Sequence, residues 1–327
     1  MQTKIHVHRT FFILMTALVF TGAAFFLSLC TGKYPLSLTV LFSGNEAALR
    51  VFQTLRLPRT VMALCAGFCL GCAGMVYQII FQNPLASPDI IGVSSGASVG
   101  AASAILFFHA SPAGITGWAF AGALSAVFLA FALTSLTGQK NLATMVLSGI
   151  AVNALAQSVL MMLKFTADPE KELASIEYWI MGSLGSITAS KIPVPLIVSA
   201  SGIFLLFFFC QKMLLLSLSD DEARTLGVPV TLLRLFLLSL ATLVVAATVS
   251  VTGLISFIGL LAPHTARLLL KTNGRATLFL SGLLGSALLL TADLIARSTA
   301  TELPVSILTS VLGAPFLLWI LFREGRT

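Results

Sequence analysis

LSLSDDEARTLGVPV, residues 216–230, is a polar island between two apolar runs, PVPLIVSASGIFLLFFFC (193–210) and TLLRLFLLSLATLVVAATV (231–249). Each run has about the 20 residues that a helix needs to cross a hydrocarbon core. The island carries helix signals at both ends. Ser219 with Glu222 forms a capping box, Asp220 and Asp221 are acids at a helix N-terminus, and Gly227 followed by Pro229 stops the helix. The reading is a short polar helix, with flanks at about 212–230, lying at the membrane surface. A solvated connector rarely needs stops at both ends, so Ser219, Asp220, Asp221, Glu222, Ala223, Arg224, Leu226 and Gly227 are read as a docking element for a cytosolic partner.

The rest of the chain follows the same pattern. Of 327 residues, 57% are hydrophobic and 9% charged, with mean hydropathy +1.00. A soluble domain has about a quarter of its residues charged, so the surroundings here are lipid. Apolar runs predict spans near 11–30, 60–81, 93–109, 113–136, 142–165, 192–210, 231–249, 256–270, 277–296 and 305–322. This is an all-α polytopic membrane protein of about ten transmembrane helices in one domain, 1–327. Segments 82–92 and 250–264 hold Gly and Pro close to membrane depth, which implies short broken helices whose freed backbone groups are met by protein or a water-filled cavity. Lys4 and Arg9 precede an apolar run too long for a signal peptide, and no small-residue cleavage site follows, so the first span is read as retained.

Ten spans put both termini on one side, expected to be cytoplasmic from Lys4, Arg9, Arg323 and Arg326. With Lys140, Lys212, Arg224, Arg234, Arg267, Lys271 and Arg275 this makes eleven basic residues inside. Lys33, Arg50, Arg56, Arg59, Lys164, Lys171, Lys191 and Arg297 make eight outside, a slight bias in the expected sense. The net charge of +7 is spread over span ends without a basic stripe, so no nucleic-acid partner is expected.

Several residues invite chemistry. Cys65, Cys69 and Cys72 share a helix face, but Gly67, Gly71 and Gly74 interleave with them, which favours close helix packing over a thiolate metal site. His264 and Arg267, after Pro263, are read as a structural cap near the cytosolic surface rather than as a metal or proton relay. The loop at about 166–191, with Asp168, Glu170, Glu172 and Glu177, is read as a solvated outer loop, with a cation-attracting vestibule as the sharper alternative. No paired carboxylates, Ser/His couple or metal cluster lies at midplane, so the chain is not read as an enzyme. An ion-coupled secondary transporter needs ionisable groups deep in the membrane, and spans one to six have no acid at their centres. That reading is the alternative.

Four motifs now carry a resemblance: RLPR (56–59), NPLASPDIIGVSSGAS (83–98), GLISFIGLLAPHTAR (253–267) and ELPVSILTSVLGAPFLLWIL (302–321). Together with 216–230 they resemble, in order and over nearly the whole chain, the permease family that includes the vitamin B12 and iron–siderophore ABC importers. The resemblance implies type II ABC importer architecture in the bacterial cytoplasmic membrane. It implies a second permease chain, two cytosolic ATP-binding subunits met by the coupling helix at 219–227, and an extracytoplasmic substrate-binding protein. The chain has no G-x-x-x-x-G-K-[ST] loop, so ATP and Mg belong to a partner and no cofactor is expected on this chain.

By the same resemblance Arg56, Arg59 and Arg297 match arginines that receive acidic residues of the binding protein. An Arg fork suits that task, although Asp293, four residues before Arg297, offers Arg297 an internal partner. The pathway would run along the fifth and tenth spans, with an inner gate at Asn141, Leu142, Ala143 and Thr144. Ser148, Asn153, Gln157, Ser158, Ser306, Thr309 and Ser310 would be its polar points. A weakly polar conduit suits a large chelate, because tight binding would retain it. The expected cargo is an iron(III)–siderophore or similar metal chelate, with cobalamin or haem as alternatives. Ser219 and Ser306 stand where the family usually has Gly; the first supplies a cap, and the second narrows the outer mouth.

Overall fold

The computed structural model describes residues 2–32, 46–138, 141–299 and 301–324, without the side chains of 2–7, 320, 321, 323 and 324. Of the basic residues used for topology, Lys33, Lys140 and Arg326 lie outside the described residues, as do the side chains of Lys4 and Arg323. Among the described residues every regular element is helical. In chain order these are α1 (Gln2–Cys30), α2 (Glu46–Val51), α3 (Leu57–Ile80), α4 (Val93–Phe108), α5 (Pro112–Leu136), α6 (Leu142–Thr166), α7 (Glu172–Ile180), α8 (Pro193–Leu214), α9 (Asp220–Thr225), α10 (Val230–Thr252), α11 (Ile258–Leu270), α12 (Arg275–Ser298) and α13 (Val305–Glu324).

Each of the ten expected spans falls on one of these helices. Seven stretches are long and apolar enough to cross a membrane: His8–Cys30 of α1, the continuous run Glu46–Ile80, α5, α6, Pro193–Ser217, α10 and α12. The others are the 16-residue α4, the 13-residue α11 and Val305–Trp319 of α13. At 1.5 Å per residue α11 rises about 20 Å against a hydrocarbon core of about 30 Å. Length and composition by themselves carry seven crossings, and the other three expected spans fall on these shorter apolar helices. Helix α4 follows the Gly/Pro-interrupted segment 82–92, and α11 begins within the segment 250–264, with Pro263 inside it.

The chain divides into two compact units. The first comprises Met1–Met75, Ser183–Val194 and Ile255–Thr327. In it, α12 packs against α1, α11 and α13. Close approach depends on small residues on α3. A methyl group on Gly67 would overlap the Gly285 backbone, and one on Gly71 would overlap the Ser281 carbonyl. The interleaved thiols join this contact, with Cys72 Sγ donating to the Leu278 carbonyl at 3.4 Å and Cys65 Sγ 3.9 Å from Cys69 Sγ. Upstream, Pro58 has no N–H and its ring crowds the carbonyl of Thr54. A π turn at Phe52–Arg56 absorbs the conflict, and the Thr54 carbonyl accepts the Ala189 N–H at 3.3 Å.

The second unit comprises Val76–Gly182 and Pro195–Leu254. Here α5 packs on α4, α6 and α10. Tyr77 and Thr242 share a buried hydrogen bond of 2.7 Å. The broken segment after α3 turns at Gln82 (φ 49°), whose amide donates to the Leu216 and Leu218 carbonyls at 3.2 and 2.9 Å. The expected solvated loop at 166–191 contains α7. Its Ile176 is buried with Ala102, Leu160 and Leu163, and Glu177 pairs with Lys164 at 2.9 Å. His264 also departs from expectation: it is buried in the middle of α11, so it does not cap the helix.

Gly67→Ala is expected to cost about 1–3 kcal/mol by overpacking, seen as a lower unfolding temperature of the detergent-solubilised chain. Gly22→Ala on α1, where nothing lies within 4 Å, should leave it unchanged.

Candidate functional site

The helix expected at 219–227 forms as α9. Ser219 Oγ accepts the Glu222 N–H at 3.3 Å, while Glu222 Oε2 accepts the Ser219 N–H at 3.1 Å and its hydroxyl at 2.8 Å, closing the capping box. At the other end Gly227 (φ 76°) donates to the Arg224 carbonyl at 2.9 Å and Val228 to the Ala223 carbonyl at 3.1 Å. This is the Schellman arrangement, which needs a left-handed residue after the helix.

The eight predicted residues divide by role. Ser219 and Glu222 cap, Gly227 terminates, and Ala223 is buried. Asp220 turns inward to Arg234 of α10, with contacts of 2.8 and 3.4 Å. That leaves Asp221, Arg224 and Leu226 as outward groups; Asp221 and Arg224 pair only loosely, at 3.7 Å. Arg234 is the anchor of α9 that the sequence pattern leaves undisclosed, read there only as a basic residue on the inner side. The sequence signal is an arginine inside the apolar run 231–249; with 3% side-chain exposure in the structure it requires an anion. The Arg234 guanidinium holds the Asp220 carboxyl below its usual range by hydrogen bonding and charge, and hydrogen bonds from the Ser219 hydroxyl and N–H lower that of Glu222.

The three predicted docking arginines are all in the first unit, and all are engaged internally. Arg56 is 6% exposed and donates to the Leu29 and Cys30 carbonyls at 3.2 and 3.4 Å. Arg297 pairs with Asp293 at 3.0 Å, donates to the Ser28 carbonyl at 3.0 Å, and also meets Ser28 Oγ. The expected internal pair of Arg297 is thus formed. Arg59 has no acid nearby in sequence, yet contacts Asp293 at 2.9 Å and Glu302 at 3.2 Å. Asp293, fully buried, sits between two guanidiniums.

The expected pathway residues fall in separate units, α6 in the second and α13 in the first. Asn141 begins α6 as its cap, accepting the Thr144 N–H and hydroxyl, each at 2.8 Å, with Leu142 and Ala143 in the first turn. Ser148 is buried, Asn153 is half-buried, and Gln157 and Ser158 are exposed. On α13, Ser306 and Ser310 are half-buried, and the buried Thr309 donates to the Ser306 carbonyl at 3.2 Å. An amide turned to hydrocarbon without a partner costs about 2–7 kcal/mol, so the Asn153/Gln157 face of α6 is built to meet water or protein.

The model of the FecCD transport family matches residues 18–323. The chain belongs to the FecCD transport family. Its relatives include a cobalamin import system permease protein of Halobacterium salinarum, 40% identical over 87% of this chain and 77% of the relative. An iron chelatin transport system permease protein of Helicobacter pylori is 40% identical over 84% and 82%. A solved inward-facing structure, described as of metal-chelate ABC transporter type, superposes with a TM-score of 0.86 at 33% identity, covering 95% of this chain and 99% of the other. As a FecCD protein the chain is a multi-pass permease subunit of an ABC importer and not an enzyme, so energy from ATP displaces the ion-coupled reading.

Asp293→Asn strands two buried guanidiniums and is expected to cost about 3–5 kcal/mol in detergent unfolding. Arg50→Ala, which removes an exposed pair with Glu46 at 3.7 Å, should change little. Asp220 and Glu222 both have folded-state pKa values below their unfolded ones. Their contribution is therefore fully present above the ordinary carboxylate range, about pH 4, and is lost as pH falls through the depressed values. Amide exchange across 219–228 should show constant protection from pH 5 to 8 and loss below pH 4, with Asp220→Asn less protected at pH 7.

Proposed function

We propose that the chain forms half of the translocation pathway of an ATP-driven importer for an iron(III)–siderophore or similar metal chelate in a bacterial cytoplasmic membrane, both termini cytoplasmic. The observation that carries the reading is α9: a short helix stopped at both ends, tied to α10 through Asp220 and Arg234, and presenting Asp221, Arg224 and Leu226 outward. Two ATP-binding subunits, which hold the ATP and Mg, engage this face. Their nucleotide cycle moves α9 and α10 between two packings and alternates access to the pathway.

A second permease chain completes the conduit. The exposed Gln157 and half-buried Asn153 on α6 support this, since that face is poorly suited to lipid. The gate at Asn141–Thr144 opens on one side, and Ser306, Thr309 and Ser310 line the other. Hydroxyls and amides without fixed charge suit a large chelate that must not be retained. The iron chelatin relative and the metal-chelate transporter structure favour this cargo; the cobalamin relative, equally similar, keeps cobalamin as the alternative.

The binding protein docks at the end carrying Arg56, Arg59 and Arg297. Arg59 is the fork best placed to take an incoming carboxylate, because its partner Glu302 is more exposed than Asp293 and can be exchanged. Arg56 and Arg297 then hold that end in shape from within.

Asp221→Lys combined with Leu226→Ala is expected to lower ATP-dependent chelate uptake in proteoliposomes at least about tenfold, the factor that corresponds to about 1.4 kcal/mol of lost coupling, while protein folding is retained. Unchanged uptake and unchanged partner ATPase activity would remove α9 from the mechanism.

A further inference from the structure

Two cavities of the second unit lie end to end along α10. The first, about 530 Å³, opens beside the end of α9 and is lined by Lys212, Val228 and Leu232 among others. The second, about 350 Å³, is lined by Phe128, Ser239 and Leu243 among others, and its walls are almost entirely apolar. Phe236 lines both. Its ring meets Phe209 edge-on at 5.0 Å, and the Lys212 ammonium lies 5.7 Å from the Phe209 ring centre.

We propose that this groove binds one anionic phospholipid, its phosphate on Lys212 and an acyl chain along α10 toward Leu243. Charge complementarity selects the occupant. Lys212 is exposed, in the last turn of α8, and has no carboxylate within ion-pair distance among the described residues. It stands where an apolar channel begins, and an ammonium at the end of a span is what an anionic headgroup meets.

Dimensions agree with that choice. From Leu232 to Leu243 the helix rises about 16 Å, close to one leaflet of a hydrocarbon core about 30 Å thick. A soluble anion would leave the second cavity empty, and a zwitterionic lipid offers the same phosphate but brings an ammonium that competes with Lys212 for it. Because Leu226, Gly227, Val228 and Pro229 also line the first cavity, the lipid touches the stop of α9 and steadies the link between α9 and α10. The proposal requires only that α8 and α10 lie in a bilayer, and it is independent of the cargo.

The test offers the full chain, in detergent, phosphatidylglycerol and phosphatidylcholine with identical acyl chains, and reads retained lipid by native mass spectrometry. Wild-type protein should keep one phosphatidylglycerol in preference to phosphatidylcholine. Lys212→Gln should cut that preference about fivefold, the factor for one lysine at an anionic surface. Ser239→Trp, which fills the channel from an exposed position, should reduce retention of both lipids with an unchanged unfolding temperature. Glycerol phosphate and inorganic phosphate should not compete. Equal retention of the two lipids by wild-type protein, an undiminished preference in Lys212→Gln, or displacement by glycerol phosphate overturns the proposal. So does release of the lipid when the ATP-binding subunits are added, since the groove would then be their seat.

Discussion

A peptide group in hydrocarbon has no water to turn to, so each N–H and C=O must find its partner within the protein. Helices meet that demand by themselves, and the informative places are where they break. Pro58 forfeits one donor and releases the Thr54 carbonyl, which is taken up by Ala189 after a π turn. Beyond α3, the side-chain amide of Gln82 takes over two carbonyls next to α9. Helix α9 is thus braced by the repair of a broken span as well as by its own caps.

Charges obey the same rule at higher stakes. Asp293 has no exposure and would be untenable alone; Arg59 and Arg297 flank it, and Ser28 takes the remaining fork of Arg297. The arrangement holds α3, α12 and the end of α1 together in the first unit. Glu302, at the edge of the cluster, is the member that water reaches.

Local features were legible in the sequence. The apolar runs located all the long helices, the Ser219/Glu222 spacing disclosed the capping box, and the four-residue spacing of Asp293 and Arg297 disclosed their pair. What failed was information spread along the chain. The partners of Arg59 are 234 and 243 residues away, so its internal contacts do not show in the local sequence. Arg234 and Asp220 are only fourteen apart, but a Gly–Pro turn lies between them, and helical periodicity does not describe a pair that folds back across a turn. Helices α2 and α7 are short and rich in charge, so hydropathy ignored them. The apolar runs at α4, α11 and α13 also fall on helices, shorter ones than the seven that meet the length of a crossing by themselves.

The Asp220–Arg234 contact and the backbone from 220 to 234 make a closed ring: α9, a stop at Gly227, a bend at Pro229 and the first turn of α10. A ring resists shear where an open strand would only swivel. Force delivered to the outward face of α9 therefore arrives at α10 as displacement of its end, with little slack to absorb it. The stiffness of that transmission rests on one carboxylate, half in water, whose partner has nowhere else to go.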